Sequence, residues 1–441
     1  MVLNLSRITG IDFNVAATLL FRSWSIIAGG LLLLLIPIYL SSEEQGYYFT
    51  FSSIIAAQVF FELGLNYVIV QMIGHEMAGL NFSKKYGLSG EENNLVRVFH
   101  LISLLKKWYL YISIAFFIII FSVGYIFFIT QGTLPSQKWF SAWLLLSFSS
   151  ALNLFISPFL SVLEGFGLVG KVAMIRLIQS IVGYTLLFLS IMFGFGLNAI
   201  PALSLSTAVI SISWMLIKYR NIFFHRKNNS NSFISWRKDI FPFQWRIAVS
   251  WLSGYFIFQL FNPVIFSSQG AIEAGKIGLT LTVFTTMLSL SMSWVSAKTP
   301  IMARYVALND RKELNVVFKD VIYKSGAANL IIMLTFFSGI KCMEILNIPL
   351  VTRLADLNII VMLIFVAIAN HIIFCAAAYM RAHKEEPMML NSLVTGVLNA
   401  IGIVVFSKVS SFAVIASYMG VILIICLPWT LYLFHRYYIR A

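Results

Sequence analysis

The chain has 441 residues, of which 59% are hydrophobic and only 11% are charged, and it carries a formal net charge of +14. Soluble domains usually contain about 25% charged residues, and a chain of this length cannot hide so much apolar surface from water. The composition therefore excludes an ordinary soluble protein and indicates an integral membrane protein. The basic residues lie in short segments between long apolar runs, which is typical of a cytoplasmic membrane face and not of a nucleic-acid-binding surface.

Apolar runs of sufficient length to cross a bilayer recur along the whole chain. A hydrocarbon core about 30 Å thick needs roughly 20 helical residues. The runs predict twelve transmembrane helices, over residues 17–40, 47–70, 108–130, 139–163, 172–194, 198–217, 243–266, 277–297, 321–340, 355–378, 388–406 and 411–434. The first run is too long for the apolar part of a signal peptide and has no small-residue cleavage site after it, so no cleavable signal is predicted.

The positions of the basic residues predict the orientation. With the N-terminus in the cytoplasm, only five of the 31 Lys and Arg residues fall outside, namely Lys138, Lys276, Lys341, Arg353 and Lys408. The opposite orientation would reverse that ratio. The positive-inside rule therefore predicts that both termini are cytoplasmic.

Three predicted cytoplasmic segments are long and basic. The first, from Gln71 to Lys107, has apolar residues at helical spacing and predicts a separate surface helix. Its apolar positions are Leu95, Val98, Phe99, Ile102 and Leu105. The second segment, from Lys218 to Arg246, is the natural link between two halves, and the third follows Pro300. External loops are short, and the longest, from Lys341 to Leu354, cannot form a domain.

An internal repeat supports the division into halves. Pro37–Ser42 at the end of the first span matches Pro263–Ser268 at the end of the seventh, and each stretch is followed by a glutamate, one further residue and a glycine. Both halves start on the same side, so the repeat is parallel. The predicted fold is an all-α membrane protein of two six-helix bundles, comprising residues 1–220 and 241–441, joined by a cytoplasmic linker at 221–240.

Two arginines occupy similar predicted depths in the two halves. Arg22 stands 20 positions before Ser42, and Arg246 stands 22 positions before Ser268. A guanidinium group suits phosphate or pyrophosphate, so both are candidate substrate-binding residues. The alternative is that both side chains only reach the cytoplasmic headgroups.

Glu62 is a carboxylate predicted to lie well inside the second span, at nearly the depth of Arg22. One interpretation is an ion pair between the two. The other is an ion-coupling role, because apolar surroundings make a carboxylate easier to protonate.

Two further residues complete the candidate set. His371, next to Asn370 in the tenth span, is either a packing residue or part of a proton relay, and packing is favoured because interhelical hydrogen bonds are common in membranes. Lys298, near Pro300, either binds an anionic headgroup or anchors its helix at the interface.

The sequence contains no motif typical of an enzyme or of an ATP-driven transporter. It contains no Gly-x-x-x-x-Gly-Lys-Ser/Thr loop, no His-Glu-x-x-His spacing and no large external loop that carries acidic or nucleophilic groups. Its three cysteines, Cys342, Cys375 and Cys426, suggest neither a disulfide framework nor a metal cluster. The sequence thus indicates a carrier with no cofactor, and not an enzyme.

Four short motifs resemble those of a transporter family. They are Ser42–Tyr48, Glu62–Asn66, Leu163–Gly167 with Lys171, and Phe241–Phe243. They are similar to patterns of bacterial O-antigen and polysaccharide flippases, within the multidrug/oligosaccharidyl-lipid/polysaccharide (MOP) exporter superfamily. The similarity covers nearly the whole chain in length and span pattern. Glu62 stands where the family usually has Asp, and Ser291 takes the corresponding place in the second half.

The resemblance implies an inner-membrane flippase for undecaprenyl-pyrophosphate-linked oligosaccharide, acting in lipopolysaccharide biosynthesis, with helices 1, 2, 7 and 8 around a central cavity. A proton or a sodium ion is compatible with the coupling role, and a polysaccharide polymerase remains open as a partner. A multidrug or cation antiporter of the same superfamily is the first alternative. It should prefer acidic cavity groups, whereas the candidates here are two arginines and one glutamate. A membrane glycan polymerase or ligase is a second alternative, and it should carry a large external loop.

Overall fold

The computed structural model describes residues 13–83, 87–223, 240–383 and 387–440. Within these residues, eleven helices are long and apolar enough to cross a membrane, and one pair of helices joined at a bend makes a twelfth span. The predicted all-α fold with about twelve spans is therefore confirmed, and the protein is a multi-pass membrane protein.

The helices of the first half are separated by short turns and by one β-hairpin. They are α1 (Phe13–Tyr39), α2 (Ser42–Glu62), α3 (Leu65–Glu76), α4 (Glu92–Gln131), α5 (Ser136–Gly165), α6 (Val169–Met192), α7 (Pro201–Lys218) and α8 (Arg220–Phe223). The antiparallel hairpin between α3 and α4 consists of β1 (Leu80–Ser83) and β2 (Gly87–Gly90) and was not predicted.

Nine helices are described in the second half. They are α9 (Phe241–Phe258), α10 (Phe261–Gln269), α11 (Ala271–Ser291), α12 (Ser293–Ala307), α13 (Arg311–Ile345), α14 (Leu357–Arg381), α15 (Met389–Phe406), α16 (Ser411–Gly420) and α17 (Leu427–Arg440). A six-residue π-helical segment, Val421–Cys426, joins α16 to α17 within the last span.

Side-chain caps define where several of these helices begin. At the start of α2 the backbone N–H of Glu44 donates to Ser41 Oγ at 3.1 Å, and the N–H of Ser41 donates to Glu44 Oε2 at 2.9 Å. This reciprocal pair is a capping box, which satisfies two N–H groups that a helix start leaves open. Ser410 caps α16 by accepting from the N–H of Ala413 at 3.1 Å.

The second span is broken where α2 meets α3, and the two helices are bent by 43°. Leu63 and Gly64 at the break have φ values of 49° and 69°, in the left-handed region that ends a right-handed helix. Ser291, at the end of α11, stands 16 positions after Gly275, just as Glu62 stands 16 positions after Gly46. The interruptions of α2–α3 and α11–α12 thus occupy equivalent positions, as a parallel repeat requires.

Two predicted boundaries were wrong in an instructive way. The predicted surface helix in the first basic segment is the beginning of α4, a single helix of 40 residues. Its apolar positions Val98, Ile102 and Leu105 are buried in the protein. The apolar face at the start of α4 packs against other helices of the protein. Amphipathic spacing in this segment therefore indicated internal packing and not a helix on the membrane surface. Likewise, α13 begins at Arg311 and takes in much of the third basic segment.

The chain divides into two compact units. The first unit contains the chain up to Leu35 and Ile54–Trp251, and the second contains Ile36–Ser53 and the chain from Leu252 onward. These units differ from the predicted bundles in two places. The end of α1 and the beginning of α2 belong to the second unit, and the first part of α9 belongs to the first unit.

In the first unit, α5 is the central helix, because it packs against α3, α4 and α7, while α6 packs against α7. Trp139 and Trp143 of α5 are fully buried, and the indole N–H of Trp143 donates to the carbonyl oxygen of Phe121 at 3.1 Å. Burying large aromatic side chains while pairing their polar atoms stabilises helix contacts in a bilayer.

In the second unit, α2 and α11 approach so closely that only glycine fits. A Cβ on Gly46 would lie 1.9 Å from the carbonyl oxygen of Ala271, and one on Gly275 would lie 2.8 Å from the backbone nitrogen of Gly46. Small residues permit such close helix packing in membranes. The glycines of the two repeat motifs therefore pack against each other.

The last span of the second unit is held by a buried polar network at its π-helical segment. Asn391 donates from Nδ2 to the carbonyl oxygen of Cys426 at 3.2 Å and to Thr430 Oγ1 at 3.0 Å. The Thr430 hydroxyl in turn donates to the Cys426 carbonyl at 2.7 Å. Beyond this segment, the ring of Phe434 lies 5.3 Å from that of Phe318 and 5.2 Å from that of Tyr379.

Candidate substrate-binding site

The second unit contains a cavity of about 900 Å³, lined by 18 residues. Seven of these residues carry hydroxyl groups, two are carboxamides (Gln259 and Asn262), three are phenylalanines and five are small or aliphatic. Small-molecule sites usually measure about 300–1,000 Å³ and combine apolar walls with a few polar groups. The cavity therefore has the size and composition of a ligand site.

The hydroxyl groups of this cavity are oriented by their own helices. Thr282 donates to the carbonyl oxygen of Gly278 at 2.7 Å, Thr285 to that of Thr282 at 3.0 Å, and Ser289 to that of Thr286 at 2.7 Å. Since each hydrogen is given to the backbone, the lone pairs of each hydroxyl oxygen remain for a ligand. The α11 wall of the cavity therefore offers mainly hydrogen-bond acceptors.

Arg381 is the single charged residue among the 18 that line this cavity, and none of them is a carboxylate. It lies in the last turn of α14, where the helix dipole favours a cation. Among the described residues, the lining thus has one positive charge and no negative charge, which suits a neutral or anionic ligand better than a cationic one.

The first unit contains a second, smaller cavity of about 430 Å³ with a similar character. Its 15 lining residues include six hydroxyl groups, four carboxamides and one charged residue, Arg176, and again no carboxylate. Arg176 Nη1 lies 3.0 Å from Glu164 Oε1, so a carboxylate outside the lining holds the guanidinium in place.

Glu62 lies behind the lining of this smaller cavity. It is the last residue of α2, half-buried, and it accepts hydrogen bonds from Gln58 Nε2 at 3.4 Å and from Asn66 Nδ2. Gln58 and Asn66 themselves line the cavity. The carboxylate of Glu62 therefore orients two cavity amides across the break between α2 and α3.

The expected ion pair between Arg22 and Glu62 is not formed, because the carboxylate is engaged by Gln58 and Asn66. Arg22 is exposed on α1 and lines neither cavity, although its neighbours Phe21 and Ser25 line the smaller one. That interpretation of the pair was wrong since depth along two spans does not determine which way the side chains point.

The other predicted residues are dispersed. Lys298 is exposed on α12, beside the cavity-lining Thr299, but does not itself line the cavity. Arg246 belongs to α9, and its side chain lies outside the described residues. Neither Arg22 nor Lys298 therefore lines one of the two cavities among the residues that the structure describes.

His371 is buried on α14 in the second unit. Its Nε2 lies 2.9 Å from Ser325 Oγ and 3.6 Å from Cys375 Sγ, and the neighbouring Asn370 donates to the Tyr418 hydroxyl at 3.3 Å. Both polar groups of the tenth span thus have hydrogen-bond partners on other helices, as interhelical packing requires.

Arg176 and Arg381 were not predicted as site residues. Arg176 lies four positions inside the predicted fifth span, so the rule that ionisable residues within spans mark functional sites could have found it. Arg381 lies just beyond the predicted tenth span, where an arginine also serves as an interfacial anchor, and only the tertiary structure shows that it lines a cavity.

Solved structures of similar fold are membrane transporters of one superfamily. The lipid II flippase MurJ in an inward closed conformation matches with a TM-score of 0.65 at 15% identity, over 94% of this chain and 86% of that chain. An inward-facing multidrug resistance MATE transporter of the MOP superfamily matches with a TM-score of 0.60 at 15% identity, over 96% of this chain and 98% of that one. This chain has the fold of MOP-superfamily transporters.

A third MOP structure, from Pyrococcus furiosus, matches with a TM-score of 0.54 at 15% identity over 96% of both chains. It is described as having a binding pocket of reversed polarity that suggests a different function. No protein-family model matches the chain, and no curated protein matches it. At such identities the MOP fold is shared, while the substrate has to be argued from the cavities.

Proposed function

We propose that the protein is a flippase that moves an undecaprenyl-pyrophosphate-linked oligosaccharide from the inner to the outer leaflet by alternating access. The MOP fold supports a transporter, and the observation that carries the choice of substrate is the second-unit cavity. Its hydroxyl and amide groups match the hydroxyl groups of a glycan, and its aromatic rings offer faces for sugar rings.

The charges of the cavities separate this substrate from the main alternative. The fold comparisons support a multidrug or cation antiporter equally well. A cationic substrate would need a carboxylate in its site, because a charge in a low-dielectric cavity needs an opposite charge. Among the described residues that line the second-unit cavity there is no carboxylate, and Arg381 is the one charged residue. The charge balance therefore favours an anionic lipid-linked glycan.

The polar groups outside the cavities have proposed roles in the same cycle. We assign Arg22, Arg246 and Lys298 to the pyrophosphate group, since fixed positive charges suit phosphate oxygens. Glu62 is the stronger candidate for ion coupling, because it lies at a helix break. His371 is the weaker one, since it is buried between hydrogen-bond partners. We also propose that the protein lies in a bacterial inner membrane with both termini in the cytoplasm.

A reconstitution assay tests this function. Purified protein in liposomes should expose a pyrophosphate-linked glycan to an impermeant reagent faster than protein-free liposomes do, and it should not extrude a cationic dye. Arg381→Gln should slow glycan translocation, whereas Arg304→Gln, an exposed arginine on α12 outside the cavity lining, should not. Dye extrusion without glycan translocation would replace the proposal by the multidrug alternative.

A further inference from the structure

Each of the four described carboxamides that line the first-unit cavity donates at least one N–H group to a protein partner. Gln179 Nε2 donates to Ser211 Oγ at 2.6 Å, and Asn153 Nδ2 donates to the carbonyl oxygen of Ser204 at 2.9 Å. The amides of Gln58 and Asn66 donate to Glu62, as described above. Asn153 uses both of its N–H groups, because Nδ2 also donates to Ser204 Oγ at 3.0 Å. The amide oxygens of Gln179 and Asn153 therefore remain as acceptors for a ligand.

Three hydroxyl groups of the same cavity also donate their hydrogens to the protein. Ser157 donates to the carbonyl oxygen of Leu154 at 3.0 Å, and Thr207 donates to that of Leu203 at 2.8 Å. Ser211, which accepts from Gln179, donates its own hydrogen to the carbonyl oxygen of Thr207 at 2.7 Å. The walls therefore present acceptors supplied by α2, α5, α6 and α7.

Arg176 supplies the charged donor of this cavity. Its guanidinium has five N–H groups, and the ion pair with Glu164 involves Nη1. The side chain is 39% exposed and lines the cavity. The cavity thus combines a fixed donor with several acceptors, while Phe21 and Tyr184 add aromatic surface.

This arrangement discriminates between ligand classes. A metal ion or an organic cation would find no carboxylate among the described lining residues. The nearby Glu164 is engaged by Arg176, and Glu62 is engaged by the amides of Gln58 and Asn66. An inorganic anion would meet the carbonyl oxygens, which repel it. A sugar hydroxyl both donates and accepts, so it can donate to the amide oxygens and accept from Arg176 in the same site.

We propose that the first-unit cavity is a sugar-binding site, in which Gln179 and Asn153 accept hydrogen bonds from hydroxyl groups of the carried glycan and Arg176 donates to them. This inference rests on the proposed function, since it supplies a second place for the glycan beside the cavity that contains Arg381. Glu62 is a positioning residue in this site, because it acts through the amides of Gln58 and Asn66.

Protection of engineered cysteines from alkylation tests the site in the full-length protein. In a Cys342→Ser background, which removes the exposed native thiol, three variants are compared. Ser157→Cys reports on the first-unit cavity, Ser289→Cys reports on the second-unit cavity, and Ser213→Cys is the control, because Ser213 is exposed on α7 and lines neither cavity. The probes are free glucose, galactose and N-acetylglucosamine, with glycerol as the solute control.

At least one sugar should slow alkylation of the Ser157→Cys variant, by about threefold when its concentration is twice the dissociation constant. Glycerol should not slow it, and no sugar should slow alkylation of the Ser213→Cys variant. Adding Gln179→Met, which keeps the side-chain length and removes the acceptor, should abolish the protection. Absence of protection by every sugar, or protection that survives Gln179→Met, would overturn the proposal.

The reporter in the second cavity keeps the two proposals apart. Protection of Ser289→Cys without protection of Ser157→Cys would reject the first-unit sugar site and leave the proposed function intact. Protection of Ser157→Cys alone would support the inference and count against the second-unit cavity as a glycan site. Glycan translocation in liposomes, measured separately, decides whether sugar binding belongs to a flippase.

Discussion

Gln45 donates a hydrogen bond from its side-chain amide to the backbone carbonyl oxygen of Arg353 at 3.0 Å. The same Nε2 atom donates to the carbonyl oxygen of Gly275 at 2.9 Å, and Arg353 in turn donates from Nη2 to the carbonyl oxygen of Leu40 at 2.9 Å. One buried amide and one guanidinium thus hold the turn between α1 and α2 against α11 and the loop before α14.

Replacing Gln45 should destabilise the second unit. Gln45→Ala leaves the carbonyl oxygens of Gly275 and Arg353 without this donor, and an unpaired buried polar group costs about 1–3 kcal/mol. We expect a lower thermal unfolding temperature in detergent than for Gln131→Ala, which alters an exposed glutamine at the end of α4. Equal unfolding temperatures for the two variants would show that the bonds contribute nothing measurable.

The glycine contact between α2 and α11 should not tolerate a methyl group. Gly46→Ala would place Cβ 1.9 Å from a backbone oxygen, so the helices must separate, and such overpacking costs about 1–3 kcal/mol or more. Gly30→Ala is the matched control, because nothing lies within 4 Å of its added Cβ. The measurement is the yield of monodisperse protein, which should fall for Gly46→Ala only. Full yield of both variants would contradict the packing described.

The orientation can be tested by labelling intact cells with an impermeant maleimide. In the Cys342→Ser background, cysteines introduced by Ser136→Cys and Ser410→Cys should react, because both positions are expected outside. The Asn229→Cys variant, in the predicted cytoplasmic linker and outside the described residues, should react only after permeabilisation. Labelling of the Asn229→Cys variant in intact cells would reverse the topology.

The absence of an ion pair between Arg22 and Glu62 makes their substitutions independent in stability. Glu62→Gln exchanges one acceptor oxygen for a donor and should cost about 1–3 kcal/mol through the amides of Gln58 and Asn66. Adding Arg22→Gln should change stability by the same amount in either background, within about 0.5 kcal/mol. Denaturation of the two single variants and the double variant measures this. An effect of Arg22→Gln that differs between the two backgrounds by more than about 0.5 kcal/mol would indicate a charge interaction.

The proposed contact of Arg22 and Arg246 with pyrophosphate predicts a graded effect on translocation. Alanine at either position should impair it, and lysine should restore part of it, because the charge survives but the bidentate geometry is lost. The liposome assay at matched protein amounts is the measurement. Normal translocation by the double alanine variant would leave both arginines with a role at the headgroups only.

The spans were predictable because burial in lipid requires about twenty consecutive apolar residues, which a single sequence displays directly. The helix break at Leu63 was harder to predict from sequence, because leucine rarely adopts the left-handed conformation. Only the neighbouring Gly64 suggests a break at this position. The repeat motif around Gly46 was recognised, but not its contact with Gly275, because sequence does not show which equivalent segments pack together.

The cavities could not be predicted in detail for a related reason. Their walls consist of serine, threonine and carboxamide side chains, which are equally common in ordinary helix packing within membranes. Thr207 and Thr282 look alike in sequence to Thr130, which is exposed at the end of α4. Only the tertiary arrangement separates those that line a cavity from those that do not.

The π-helical segment Val421–Cys426 determines which face of the last span meets the rest of the second unit. Such a segment accommodates one extra residue in a helical turn, and each residue advances a helix by about 100°. Tyr418 and Phe434 are 16 residues apart, so they would lie about 160° apart around an uninterrupted α-helix, whereas the extra residue brings them to within about 60° of each other. Replacing the π-helical turn by a regular α-helical turn without a deletion would therefore turn Phe434 by about 100°, away from Phe318. The length of this segment, more than the identity of its apolar residues, sets the rotational register of the C-terminal helix.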